Sequence, residues 1–153
     1  MNLSSFLLFL AMAAVAGCHG AQDFDDVQQR LVGSWLRDDE ENGTRVRRVL
    51  VLQTGGRFAE TSKATRAIQV TEFTEATPGA AVLAQHAHSG DWLFDGTNLK
   101  RRYTLIDGRQ PSAPTFPYAA FELRFESRNV FIGTDNIRKR QVRYQRVADG
   151  TLP

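Results

Sequence analysis

From Phe121 to Glu126 the chain reads Phe-Glu-Leu-Arg-Phe-Glu, apolar and charged residues in strict alternation. Successive side chains on an extended strand point to opposite faces, so this stretch buries Phe121, Leu123 and Phe125 and leaves Glu122, Arg124 and Glu126 in water. A helical period of 3.6 residues does not fit that pattern. A strand with one greasy face needs other strands beside it and an apolar layer opposite it.

The remaining chain supplies such neighbours. Thr44 to Gln53 is rich in Val and Leu, and Thr54-Gly55-Gly56 turns it into Arg57 to Thr61. A glycine pair between two such runs is a hairpin signal. Ile68, Val70 and Glu72 alternate with their neighbours up to the break at Thr77-Pro78-Gly79, and Ala81 to Ala87 starts the next strand. Trp92 to Phe94 and Leu99 to Leu105 flank Asp95-Gly96-Thr97-Asn98, and Asp107-Gly108 ends the second of them. Asp-Gly pairs tolerate the positive φ that tight turns require. Pro111, Pro114 and Pro117 make Gln110 to Pro117 a loop or strap, since proline cannot donate to a central ladder. Val130 to Gly133 and Gln141 to Val147 are the last two strands, with Thr134-Asp135-Asn136 a turn. The acidic stretch Asp38 to Gly43 reads as a loop. The one helical signal is N-terminal: Asp23 as a cap, Phe24, Val27 and Leu31 along one face, and Gly33 as a stop. The expected fold is all-β, a single antiparallel up-and-down β-barrel of about eight strands preceded by a short N-terminal helix. The lack of helices between strands argues against a parallel α/β sheet.

Ahead of this domain, Phe6 to Ala16 is an uncharged apolar run. A membrane-spanning helix needs about twenty such residues, so the run fits the core of a cleaved signal peptide instead. Two cuts are open: Ala14-Val15-Ala16 offers an A-x-A site, and Val15-Ala16-Gly17-Cys18 resembles the bacterial lipobox in all four positions. Met1 to Ser5 lacks the Lys or Arg with which such leaders usually begin. Cys18 is the only cysteine, so no internal disulfide is available to it, and lipidation gives it a role. The resemblance implies a lipoprotein: residues 1–17 removed, Cys18 acylated, residues 18–22 a tether and residues 23–153 the domain. Two or more acyl chains anchor stably where one is marginal. His19, in place of an Asp after the cysteine, resembles sorting to the outer membrane, which implies its periplasmic face; cleavage at the A-x-A site would instead release a secreted soluble protein.

Processing leaves 136 of 153 residues, enough for one domain with a real core. Their charge is uneven: net −5 from Cys18 to Gly43 and net +7 from Thr44 onward. The overall basicity is therefore a poor guide to partners, and nucleic acid is not expected for an exported, anchored chain.

Gly33-Ser34-Trp35 after a short helix, the Leu52 to Phe58 strand-turn-strand, and Tyr144-Gln145-Arg146-Val147 near the end are together similar to the lipocalin-like (calycin) families. Their Thr-Asp-Tyr middle motif is absent. The resemblance implies that Trp35 sits at the closed end of the barrel with Arg146, or Arg143 in another register, across it. It also implies binding of a small apolar or amphipathic ligand or a surface partner, not catalysis. Candidate residues for lining the interior are Phe58, Trp92, Phe94, Tyr103, Phe121, Leu123 and Phe125, which could equally fill it.

Other candidates are weaker. His86 and His88 share one strand face, half of a metal site that would need a further ligand such as Asp91 or a carboxylate from a neighbouring strand; the alternative is two outward polar residues opposite inward Leu83 and Ala87. Neither metal nor any other cofactor is expected. Arg138, Lys139, Arg140, Arg143 and Arg146, near Lys100-Arg101-Arg102 and Arg45-Arg47-Arg48, form either a solvated face or a dock for an anionic envelope component or an acidic protein. The second functional class is accordingly a protein-binding module: an inhibitor, an immunity protein or an envelope-assembly accessory. Enzyme signatures are lacking: there is no Gly-x-Ser-x-Gly elbow and no phosphate-binding glycine loop, and Glu122 and Glu126 are too far apart along an extended strand to act as a pair.

Overall fold

The structure, a computed structural model, describes residues 19–67, 80–112 and 117–153. Helix α1 (His19–Leu31) precedes eight strands: β1 (Gly33–Glu41), β2 (Thr44–Leu52), β3 (Arg57–Ala67), β4 (Ala80–Phe94), β5 (Asn98–Ile106), β6 (Tyr118–Ser127), β7 (Val130–Asp135) and β8 (Arg140–Val147). Each strand pairs antiparallel with the next, and β8 returns to β1 to close the barrel. This is the all-β, up-and-down architecture with a short leading helix that the alternation and turns call for. Closure gives every strand a paired neighbour on each side.

Three local expectations are corrected. The helix begins at His19, so Gly20 to Gln22 are helical, and Asp23 lies inside the helix and not at its N-cap. A single Gly costs a helix about 1 kcal/mol, too little to stop it where a packed far end holds it. That far end is Leu31, wholly buried at the base of the barrel.

The acidic stretch is likewise not a loop. Asp38 to Glu41 belong to β1 and lie against β2, with Asp38 opposite Arg47 and Glu40 opposite Arg45. Opposite charges facing across a ladder stabilise it, and Asp38 bonds Arg45 with Arg47 nearby at 3.7 Å. Only Asn42 and Gly43 turn, both at positive φ (53° and 70°), as a two-residue hairpin demands. The uneven charge of the sequence is thus an acidic strand zipped to a basic one.

Third, β4 runs unbroken from Ala80 to Phe94, where two pieces are expected. Its register with β3 sets Gly90 beside Phe58, His88 beside Glu60 and His86 beside Ser62. By register His86 and His88 share the face of Ser62 and Glu60, with His88 22% exposed and His86 52%, and Ala87 points the other way, the reverse of the outward-histidine reading. The expected strand at Ile68 to Phe73, the break at Thr77 to Gly79, the leader and Cys18 all lie outside the described residues.

Candidate functional site

The interior is built in layers that follow the β2–β3–β4 register. Leu52, Phe58 and Gly90 form one rung; Leu50, Glu60 and His88 the next; then Arg48, Ser62 and His86; then Val46, Ala64 and Ala84. The lowest layer is a floor of packed rings. Trp35 is fully buried, its indole N–H donating to the Leu31 carbonyl at 2.7 Å, with Phe131 edge-on at 4.7 Å and Tyr144 stacked on Phe131 at 4.7 Å. Arg146, the cross-strand partner of Trp35, lays its guanidinium 4.2 Å from the ring centroid. It also donates to the carbonyls of Val32, at 2.9 Å, and Arg30, tying the helix exit to the barrel base. Gly33 is required here: its φ is +127°, and a Cβ would stand 2.5 Å from the Arg146 guanidinium. Arg143 faces outward and donates to Glu126 at 3.3 Å.

Of the seven ring and aliphatic candidates, Phe58, Trp92, Phe94 and Phe121 are buried members of this core, and Tyr103, Leu123 and Phe125 pack against it. They touch one another closely. A Cβ on Gly133 would lie 2.5 Å from the Phe121 ring, so this part of the floor does not admit even a methyl group.

Above the floor the lumen becomes charged. Arg101 is only 7% exposed and Glu60 4%, and they meet at 2.5 Å, Nη1 to Oε2. The guanidinium lies 5.7 Å from the Phe58, Tyr103 and Phe121 centroids, directly on the aromatic bed. Arg48 lies 3.9 Å and His88 3.6 Å from the Glu60 carboxylate, and His88 stands edge-on to Tyr103 at 5.6 Å. Burial pushes the Glu60 carboxyl up, but His88, Arg101 and Arg48 outweigh it and hold the group at about 2. Burial opposes the Arg101 charge too, and Glu60 more than restores it. Among the described residues, the buried Nε atoms of four arginines lack a hydrogen-bond acceptor, Arg48 and Arg101 among them. Two guanidiniums facing one carboxylate leave this layer with more donors than acceptors.

Glu60 was not among the sequence candidates, and Arg101 was one only as part of a basic outer surface. Arg101 is the middle member of Lys100-Arg101-Arg102, whose outer two pair with Asp95 (2.6 Å) and Asp91 (2.5 Å) on the outside. Its shared parity with Leu99 and Tyr103 was the available signal. The histidines are not brought into a metal cluster: His86 bonds Asp107 at 2.8 Å while His88 faces Glu60, and no three His, Cys, Asp or Glu converge among the described residues. A separate open cleft of about 810 Å³ lies outside the barrel, between α1 and the β6–β7 turn, lined by Arg30, Arg128 and Arg146 among others.

No family model matches this chain, and a search of curated proteins finds no similar one.

Proposed function

We propose that this protein is an envelope lipoprotein whose barrel binds a small amphipathic molecule, without catalysis. The observation that carries the reading is the division of the interior into a packed aromatic floor and a charged upper half. A purely apolar ligand would have to displace the floor; a polar group reaches Arg48, Glu60, His88 and Arg101 without doing so.

The lipobox-like Val15-Ala16-Gly17-Cys18 supports anchoring through an acylated Cys18, with the periplasmic face of the outer membrane as the location. The outer wall supports attachment over spanning. Arg45 with Asp38, and Arg57 and Arg102 with Asp91, are exposed there, and an arginine on a lipid-facing barrel wall costs about 2–4 kcal/mol at mid-bilayer. Pairing with Asp38 and Asp91 takes Arg45, Arg57 and Arg102 out of the basic dock that the protein-binding alternative needs.

Native mass spectrometry of protein purified from its own envelope tests the reading: a retained small-molecule mass is expected, and consistently ligand-free protein would count against it. Anchoring has its own test, because Cys18→Ala should move the protein from the membrane to the soluble fraction. Unchanged fractionation would remove the lipid from the account.

A further inference from the structure

The charged layer is short of acceptors. Among the described residues Glu60 is the single carboxylate between Arg48 and Arg101; it takes one bond from Arg101 at 2.5 Å and leaves Arg48 at 3.9 Å, outside hydrogen-bond range. Arg37, the cross-strand neighbour of Arg48, is already committed to Asp39 at 2.5 Å. Two guanidiniums thus share one acid, and the buried Nε–H of each has no hydrogen-bond acceptor among the described residues. Guanidiniums prefer planar, two-oxygen partners, which they can bind through paired N–H groups.

The surroundings fix the direction of approach. Below Arg101 lie Phe58 and Phe121, in a floor with no spare volume at Gly133. On the other side of the Arg48–Ser62–His86 rung come Val46, Ala64 and Ala84, small aliphatic side chains in register. Arg48 and His88 keep 34% and 22% of their side chains exposed, so solvent reaches the charged layer.

We propose that the lumen takes a single-chain amphiphile head first, its oxyanion (a carboxylate or a phosphate monoester) between Arg48 and Arg101 and its alkyl stem along Val46, Ala64 and Ala84. This rests on the binding reading above and narrows it to an anionic ligand in an inverted pose, charge deep and stem outward. The oxyanion supplies the missing acceptors and balances the second guanidinium.

The test is calorimetric titration of the Cys18→Ala chain, which needs no detergent, with octanoate, octyl phosphate, octanol and inorganic phosphate at neutral pH. Octanoate or octyl phosphate should bind at least roughly tenfold more tightly than octanol, the equivalent of one charge-assisted hydrogen bond; the tighter of the two identifies the head group. Inorganic phosphate should bind more weakly than octyl phosphate because it lacks the stem. Arg48→Gln, at a partly exposed position and checked by its melting curve, should weaken the anions about tenfold and leave octanol unchanged. Equal affinity for octanol and the anions, or anion affinity indifferent to Arg48→Gln, would overturn the oxyanion seat while leaving ligand binding intact. Inorganic phosphate matching octyl phosphate would overturn the role of the stem. Failure of every probe to bind would sink both this inference and the reading beneath it.

Discussion

On β3, Phe58 and Glu60 are two residues apart, face the same lumen and are both almost completely removed from water. Their surroundings differ in kind. Phe58 lies among rings that gain from contact with any apolar neighbour, while Glu60 is tolerated only because Arg101, Arg48 and His88 are placed around it. A packed floor loses stability piece by piece as volume is removed. A buried ionic layer behaves as a unit, since removing one member strands the others, whereas replacing the whole group with apolar residues costs far less. The floor is therefore explained by folding, and the charged layer calls for a functional explanation.

That contrast gives the largest expected effects. Trp35→Ala should cost about 4 kcal/mol in urea unfolding, the range for an aromatic lost from a close-packed core. Arg101→Met should cost about 3 kcal/mol by leaving Glu60 buried and unpaired, and adding Glu60→Met should recover most of that loss. Additive losses in the double variant would show that the pair is not coupled and would erase the distinction between the layers.

Acid provides a gentler probe. The Glu60 carboxyl is held below its ordinary value of 4.5, so its stabilisation is complete above that value and disappears as pH falls towards about 2. Stability measured across this window should fall more steeply for the parent protein than for Glu60→Gln, the difference being on the order of 2 kcal/mol. Parallel curves would mean that Glu60 is not held in its charged form. The smallest effect is expected at the base, where Arg146→Met removes the cation over Trp35 and should cost about 1 kcal/mol in the same unfolding assay.

The fold was largely legible because its signals are local. Phe121, Leu123 and Phe125 announce a half-buried strand, and Gly55-Gly56 and Asp107-Gly108 place turns where positive φ is found. Asn42-Gly43, also at positive φ, was hidden by the acidic run before it, because four successive acids look like solvated loop until β2 is set beside them. The candidate site was much less legible. β4 carries small or apolar residues on both faces around His86 and His88, so its parity is undetermined until the ladder to β3 fixes it. Arg101 sits in a basic triplet that resembles a solvated surface, and Glu60 in an ordinary alternating strand. Only closure of the barrel brings β3 and β5 side chains together across the lumen, 41 positions apart in the chain.

The central claim, that the charged layer receives a ligand while the floor does not, can be read directly by nitrogen-15 NMR. Arginine Nε–H and tryptophan indole N–H signals would be followed while octanoate is added to the Cys18→Ala chain. The Nε–H signals of Arg48 and Arg101 should shift together and saturate, with the Trp35 indole signal unmoved. A shifting Trp35 indole with static arginine signals would place the ligand in the floor and contradict the account.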